Sequence, residues 1–150
     1  MANGLEREKI RELAKALDDA IERHDVERLV SYFAEACEIR LPGITLTGRE
    51  GLRRAIGWMY SYLKEIKLVP VTIMIEGGVF FEEFIVKGAI GDHDIEVRQS
   101  EVLVYDGDYR VTSLRLYFDR LELAQHFPAN FIDRFLVRRV SRESLKGLAE

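Results

Sequence analysis

Apolar residues recur along residues 5–23 at helical spacing. Leu5, Ile10, Leu13, Leu17 and Ile21 form the stripe, with Ala14 and Ala20 beside it, which predicts an amphipathic helix. His24-Asp25 breaks the pattern, and Asp25 suits the N-cap of a second helix. That helix carries Val26, Leu29, Val30 and Phe33 and is expected to end near Glu35. Cys37, Ile39 and Leu41 then alternate with Glu38 and Arg40, the pattern of a short half-buried strand. Pro42-Gly43 stops it, and Ile44 to Thr47 fits a second short strand. Gly48-Arg49-Glu50 opens a third helix to about Leu63, with Leu52, Ile56, Met59, Tyr60 and Leu63 on one face.

From Lys67 to Phe118 the period changes to two. Val69 to Glu76 is rich in β-branched residues, and Gly77-Gly78 marks a hairpin turn. Val79 to Ile90 predicts a long strand, Gly91-Asp92-His93 a turn, Asp94 to Tyr105 the return. Asp106-Gly107-Asp108 turns again into Tyr109 to Phe118. A short helix over about Arg120 to His126 closes the domain. Phe127-Pro128 reads as a hinge, and Phe131, Ile132, Phe135, Leu136 and Val140 make an apolar stripe on one or two further helices. Three helices interleaved with two short strands, followed by a meander of long ones, predict an α+β fold with an antiparallel-dominated sheet. One face of such a sheet has to be covered, and the helices are the available cover.

The chain has 150 residues, 47% of them hydrophobic and 32% charged. That is the balance of a soluble domain long enough to need no disulfide or metal. Cys37 is the single cysteine, so no intrachain disulfide can form. No apolar run approaches a membrane span and no leader is visible at the N-terminus, so a cytoplasmic location is expected. The net charge of −4 argues against nucleic acid as a partner. Charge is uneven. Residues 127–150 carry Arg134, Arg138, Arg139, Arg142 and Lys146 against Asp133, Glu143 and Glu150. The expected division is therefore a compact acidic domain over 1–126 and a basic helical extension over 127–150, either a solvated helix or a docking arm.

No phosphate-cradling glycine motif, nucleophile elbow or zinc-binding H-E-x-x-H is present. His24, His93 and His126 all fall at predicted turns or termini, and no metal site is expected from them. Cys37 falls on an apolar phase, as a buried structural thiol would. The informative anomaly lies in the strand Asp94–Tyr105. One of its faces carries Ile95, Val97, Gln99, Glu101, Leu103 and Tyr105, an apolar face with an amide and a carboxyl in its middle. A carboxyl there is costly unless it is paired, protonated or open to a cavity, and burial raises its pKa into the range of general acid–base work. Glu101 either faces a ligand or pairs with Arg40, Lys87 or Arg115, unless a bulge flips the register. Asp119, ending the last strand, either caps the following helix or enters a pocket. Trp58, Tyr60 and Tyr62 on the third helix are core or pocket lining, and Phe80, Phe81 and Phe84 add to the apolar interior.

Three stretches carry a resemblance. They are Asp25-Val-Glu-Arg-Leu-Val-Ser-Tyr-Phe-Ala-Glu-Ala-Cys-Glu-Ile, Leu46-Thr-Gly-Arg-Glu-Gly-Leu-Arg, and Val111-Thr-Ser-Leu-Arg-Leu-Tyr-Phe-Asp119 with Leu123 and Gln125 after it. In this order and spacing, residues 5–126 resemble the nuclear-transport-factor-2-like superfamily, and within it the SnoaL-like branch. The resemblance implies a cone-shaped, curved mixed sheet wrapped by three N-terminal helices around an apolar pocket. It also implies frequent dimerisation through the outer sheet face. Members include ketosteroid isomerases, polyketide cyclases, epoxide hydrolases, dehydratases and non-catalytic modules, so the fold does not choose a function.

By position the match to any one activity is mixed. The ketosteroid isomerase base precedes the proline ending the first strand, where this chain has Leu41. That enzyme's oxyanion tyrosine would fall near Leu17. Its second oxyanion acid aligns with Glu101, and the terminal-strand aspartate of cyclases and epoxide hydrolases matches Asp119. The hydrolase Arg-x-Asp pair has no clear counterpart; Glu82, Glu83 and Lys87 are what that strand offers.

Two expectations follow. One is a cofactor-free enzyme on a small, mostly apolar ligand, with Asp119 and Glu101 sharing acid–base duty. Its ligand would be oriented by Gln99 with Tyr60 or Tyr105 and bounded by Trp58, Leu114, Leu116 and Phe118. The other is a non-catalytic pocket or dimerisation module.

Overall fold

The structure, a computed structural model, describes residues 5–127 and 131–148, without the side chains of Phe131 and Ile132. The first helix, α1 (Arg7–Glu22), buries Ile10, Ala14, Leu17 and Ala20, the positions its stripe predicts. Asp25 caps α2 (Val26–Ser31) by accepting a hydrogen bond from the Arg28 amide at 3.1 Å.

β1 (Phe33–Leu41) starts earlier than the alternation suggests and cuts α2 short. Tertiary pairing explains this. The Val111 amide donates to the Tyr32 carbonyl at 2.9 Å, Phe33 lies beside Val111 in the ladder, and the Phe33 ring is fully buried. β2 (Ile44–Thr47) returns antiparallel on β1, and α3 (Gly48–Tyr62) follows.

The remaining strands are β3 (Leu63–Glu76), β4 (Val79–Ile90), β5 (His93–Tyr105) and β6 (Val111–Phe118). They stand in the order β2-β1-β6-β5-β4-β3, with β1 and β6 parallel and every other pair antiparallel. The six strands make a curved mixed sheet that does not close into a barrel.

β3 also starts earlier than its β-branched run. Its first part, Leu63 to Lys67, buries Leu63 and Ile66 three residues apart and is interrupted by a register shift, with Glu65 at φ 54°, so no period-two alternation announces it. Gly88 makes this start possible. A Cβ there would come within 2.8 Å of the Leu63 side chain and the Lys64 carbonyl. Pro70 is tolerated because β3 is an edge strand, where a missing amide donor breaks no ladder.

Two apolar clusters fill the space between helices and sheet. One joins α1, α2, β1 and the ends of β4 and β5 around Leu17, Phe33, Phe80 and Leu103. The other joins the start of β3 to the opposite ends of β4 and β5 around Ile66, Phe84, Val97 and Leu123.

A short α4 (Arg120–Ala124) follows β6. The expected hinge at Phe127-Pro128 lies partly outside the described residues. Beyond it α5 (Phe131–Ser144) leaves Phe135, Leu136 and Val140 exposed. Among the described residues, no helix is long and apolar enough to cross a membrane.

Candidate active site

The inner face of β5 carries Glu101 between Leu103 and Gln99, and Glu101 is only 6% exposed. Strict alternation on β4 puts Phe80, Glu82, Phe84 and Val86 on its own inner face, and Glu82 is 2% exposed. The ladder sets Glu82 directly opposite Glu101, a like-charge pair that is unfavourable on an open sheet and worse when buried. α1 supplies a third carboxyl, Asp18. One carboxylate oxygen from each of the three lies within 4.8 Å of the others. The triad sits at the seam of the two apolar clusters, with Phe80 and Leu103 on one side and Phe84 and Val97 on the other.

No described residue donates a hydrogen bond to these carboxyls. The cations that sequence offered do not reach them. Arg40 bonds Glu38 at 2.6 Å, and Lys87 bridges to Glu96 at 3.5 Å. Arg115 pairs in register with Val102, on the opposite face of the sheet from Glu101.

Burial without a counter-charge makes the charged forms costly. Burial is the largest cause pushing Asp18 up to about 8, followed by the charges of Glu82, Glu22 and Asp19, with Lys15 opposing. Burial pushes Glu82 up to about 7. Glu101 is raised well above the usual carboxylate range by burial, then by Asp18 and Glu82. The Tyr105 phenol, 2% exposed, is raised by burial and then by the charges of Glu101 and Asp18. Its hydroxyl has no hydrogen-bond partner among the described residues.

An apolar cavity adjoins the triad. Its inner part, about 100 Å³, is lined by Ile21, Phe84, Gln99 and Leu116, among others. Each of these neighbours an acid. Ile21 lies one turn from Asp18, Phe84 and Gln99 lie two residues along from Glu82 and Glu101, and Leu116 is the β6 partner of Glu101. Leu41, Ala55, Trp58, Phe118 and Leu123 are shared with a wider outer cavity of about 670 Å³ that reaches Pro42, Ile44 and Arg120. Together they form a funnel, and its narrow end is walled by the residues next to the acids, with none of the three carboxyls in its lining.

The sequence-predicted residues divide accordingly. Gln99, Trp58, Leu114, Leu116 and Phe118 line the inner cavity. Tyr105 stands beside the acids. Tyr60 does not line the cavity; its hydroxyl donates to the Ile21 carbonyl at 2.8 Å and its ring stacks on His24 at 4.1 Å. Asp119 is exposed and caps α4, accepting from the Leu121 and Glu122 amides at 2.8 and 3.3 Å. Cys37 is buried, with its thiol pushed up by burial.

Two members of the triad lie outside the sequence-predicted set. Glu82 falls on the apolar phase of its strand by the same count that isolates Glu101. Asp18 sits four residues after Ala14 and three before Ile21, on the stripe of α1 and next to the fully buried Leu17.

The cap gives a direct prediction. Asp119→Ala is expected to cost about 1 kcal/mol, the usual value of an N-cap. It should leave the triad's titration, followed by carboxyl NMR shifts, unchanged.

The family model for the SnoaL-like domain matches residues 14–139. The chain belongs to this family, within the nuclear-transport-factor-2-like superfamily. Solved structures agree on the fold. A protein from Catenulispora acidiphila with a ketosteroid isomerase-like fold, solved with trimethylamine, is 19% identical; the match covers 78% of this chain and 94% of that one, at a TM-score of 0.70. A nuclear-transport-factor-2-like protein from Burkholderia xenovorans is 23% identical, covering 83% and 100%, at 0.69. The epoxide hydrolase/cyclase-like enzyme SalBIII, of pyran ring formation in salinomycin, is 14% identical, covering 81% and 97%, at 0.70. No curated protein matches the chain.

Proposed function

We propose that this SnoaL-like protein is an acid–base enzyme acting on a small, mostly apolar ligand bound in the funnel. The observation that carries this reading is the buried carboxyl triad, whose strand and helix neighbours Ile21, Phe84, Gln99 and Leu116 wall the funnel's narrow end. Burial pushes Asp18 up to about 8 and Glu82 up to about 7, which brings the triad's proton exchange toward neutral pH. Interacting groups of this kind titrate as a unit, and one cluster can take a proton at one position of a ligand and return it at another. Isomerisation, aldol-type cyclisation, dehydration and epoxide opening all need that pair of transfers. Gln99 in the wall offers an amide to a carbonyl or hydroxyl. Asp119 has no part in this scheme, because its carboxylate is committed to α4.

Proton exchange tests the reading without knowledge of the substrate. The protein is incubated in D₂O with a panel of small cyclic ketones and enones, and deuterium uptake at carbon is followed by mass spectrometry. Wild type is expected to accelerate uptake for part of the panel. Glu101→Gln should lose about 10²-fold or more of that acceleration, the usual worth of a positioned acid or base. Absence of uptake with wild type, or full uptake with the variant, overturns the proposal.

The outer sheet face favours a homodimer. Val69, Met74, Val79 and Tyr117 stand on it, each more than a third exposed, on strands β3, β4 and β6. Light scattering after size exclusion should give twice the chain mass for wild type and one chain mass for Met74→Glu. A monomeric wild type removes the dimer.

A further inference from the structure

The triad has a property that acid–base work alone does not require. It gathers three carboxyls from three elements, and among the described residues no cationic side chain is bonded to any of them. Lys15, which influences Asp18, bonds Asp19 at 3.1 Å, and Lys67 bonds Glu22 at 3.3 Å. Among the described residues, the strands beside the site bring apolar partners to these carboxyls. β3 presents Ile73 opposite Glu82 and β6 presents Leu116 opposite Glu101. The facing titratable groups are Asp18 with Asp19, Glu22 and Lys15 on α1, Glu82 on β4, and Glu101 with Tyr105 on β5.

We infer that the ligand carries an organic ammonium group, seated among Asp18, Glu82 and Glu101, with its hydrocarbon part in the adjoining cavity. This rests on the reading of the triad as the working end of the funnel, and it names a class of ligand for it: small apolar primary amines.

The geometry suits this group. An ammonium has three N–H donors and the site offers three carboxyls. Charge-assisted N–H···O bonds of about 2.8 Å, at tetrahedral angles, put their acceptors about 4.6 Å apart, within the 4.8 Å limit met here. Tyr105 is a second, independent sign. Its hydroxyl is buried and unpartnered, it shares the inward face of β5 with Glu101, and it lies close enough to feel the charges of Glu101 and Asp18. With the three N–H groups directed at the carboxyls, the phenol O–H is left to donate to a remaining lone pair of one of those carboxylates. The third sign is the apolar wall, which begins at Ile21, Phe84 and Leu116, where the acids end. An inorganic divalent ion is less well matched. Calcium takes six to eight oxygens and magnesium six, several of them waters, and here Phe80, Phe84 and Leu103 flank the acids.

Protons and ammonium compete for the triad, so binding should release protons and tighten as pH rises from 6 to 9. It should weaken again once the amine itself deprotonates, near 10.4 for a lysine-like amine.

Calorimetry on the full chain at pH 8.5 compares n-hexylamine with 1-hexanol, in two buffers of different ionisation enthalpy, with MnCl₂ as competitor. The expected result is 1:1 hexylamine binding at least tenfold tighter than hexanol, with proton release. Glu82→Gln, checked for folding by near-ultraviolet circular dichroism, should lose the preference. The wild-type comparison does not depend on that variant. Equal binding of amine and alcohol, or of neither, overturns the inference, and so does tight 1:1 Mn²⁺ binding that excludes the amine. The ketone exchange assay then reports separately on whether the triad is catalytic.

Discussion

Glu82→Gln is expected to be more stable than wild type at pH 8 and no more stable at pH 4. The sign follows from the direction of the shift. Burial holds the Glu82 carboxyl near 7 in the folded chain against 4.5 ordinarily. The folded state therefore binds more protons than the unfolded chain between these values, and stability falls as pH rises through them. The contribution is fully present below about 4.5 and lost above about 7. A shift of this size corresponds to roughly 3 kcal/mol. Asp18 pushes the same way and extends the window toward 8. It is partly exposed and coupled to Glu82, so its share is smaller than its shift suggests. Glutamine keeps the shape, removes the charge, and relieves Asp18 and Glu101 of a like neighbour. At pH 8 the gain should be roughly 2–3 kcal/mol, or about 5–10 °C in Tm for a chain of this length. Urea midpoints at pH 4, 6 and 8 measure it. Wild-type stability that rises with pH across this window would mean the acids are ion-paired in solution, and the electrostatic account of the site would fail.

Most of the framework was legible because it is written in local periods. The helical stripes of α1 and α3, the Asp25 cap, the β4 and β5 spans and the turn between them all follow from side-chain spacing and turn residues. The misplaced boundaries share a different cause. Phe33 joins the sheet because β6, nearly eighty residues away, offers a parallel partner. Leu63 to Lys67 joins it because Gly88 lets the backbones approach. Neither partner is visible in a local window.

The site was legible in the same measure. Glu101 stands out because alternation fixes its face once the strand is known, and Glu82 obeys the same rule on the neighbouring strand. Asp18 was harder to see, since a helical stripe tolerates a polar residue at its margin and only the packing of α1 decides which way that residue points. The register that sets Glu82 against Glu101, and the helix that brings Asp18 to both, are tertiary facts. Asp119 marks the opposite limit. A strand-end aspartate before a helix serves a cap or a pocket equally well on paper, and two backbone amides decide for the cap.

Phe80 connects the core to the chemistry, and its truncation should show both roles at once. The ring is 2% exposed, two residues from Glu82 on the same face of β4 and paired with Leu103, itself two residues from Glu101. Phe80→Ala should cost about 3–5 kcal/mol at pH 5, the range for deleting a buried aromatic ring. The vacated space borders carboxyls, and a polar-walled cavity of that size admits water. Hydrated carboxyls lose part of the burial that raises them, so the fall in stability between pH 5 and 8 should be shallower than in wild type. The variant's deficit is therefore largest at pH 5 and shrinks toward pH 8. Leu29→Ala is the control. Leu29 is 1% exposed on α2, an element of the first cluster away from β4 and β5, and its loss should cost about 2–5 kcal/mol at every pH alike. Paired urea titrations of the two variants at pH 5 and 8 separate packing from dehydration. Identical pH slopes for both would show that Phe80 is an ordinary core residue and that the acids are kept dry by something else.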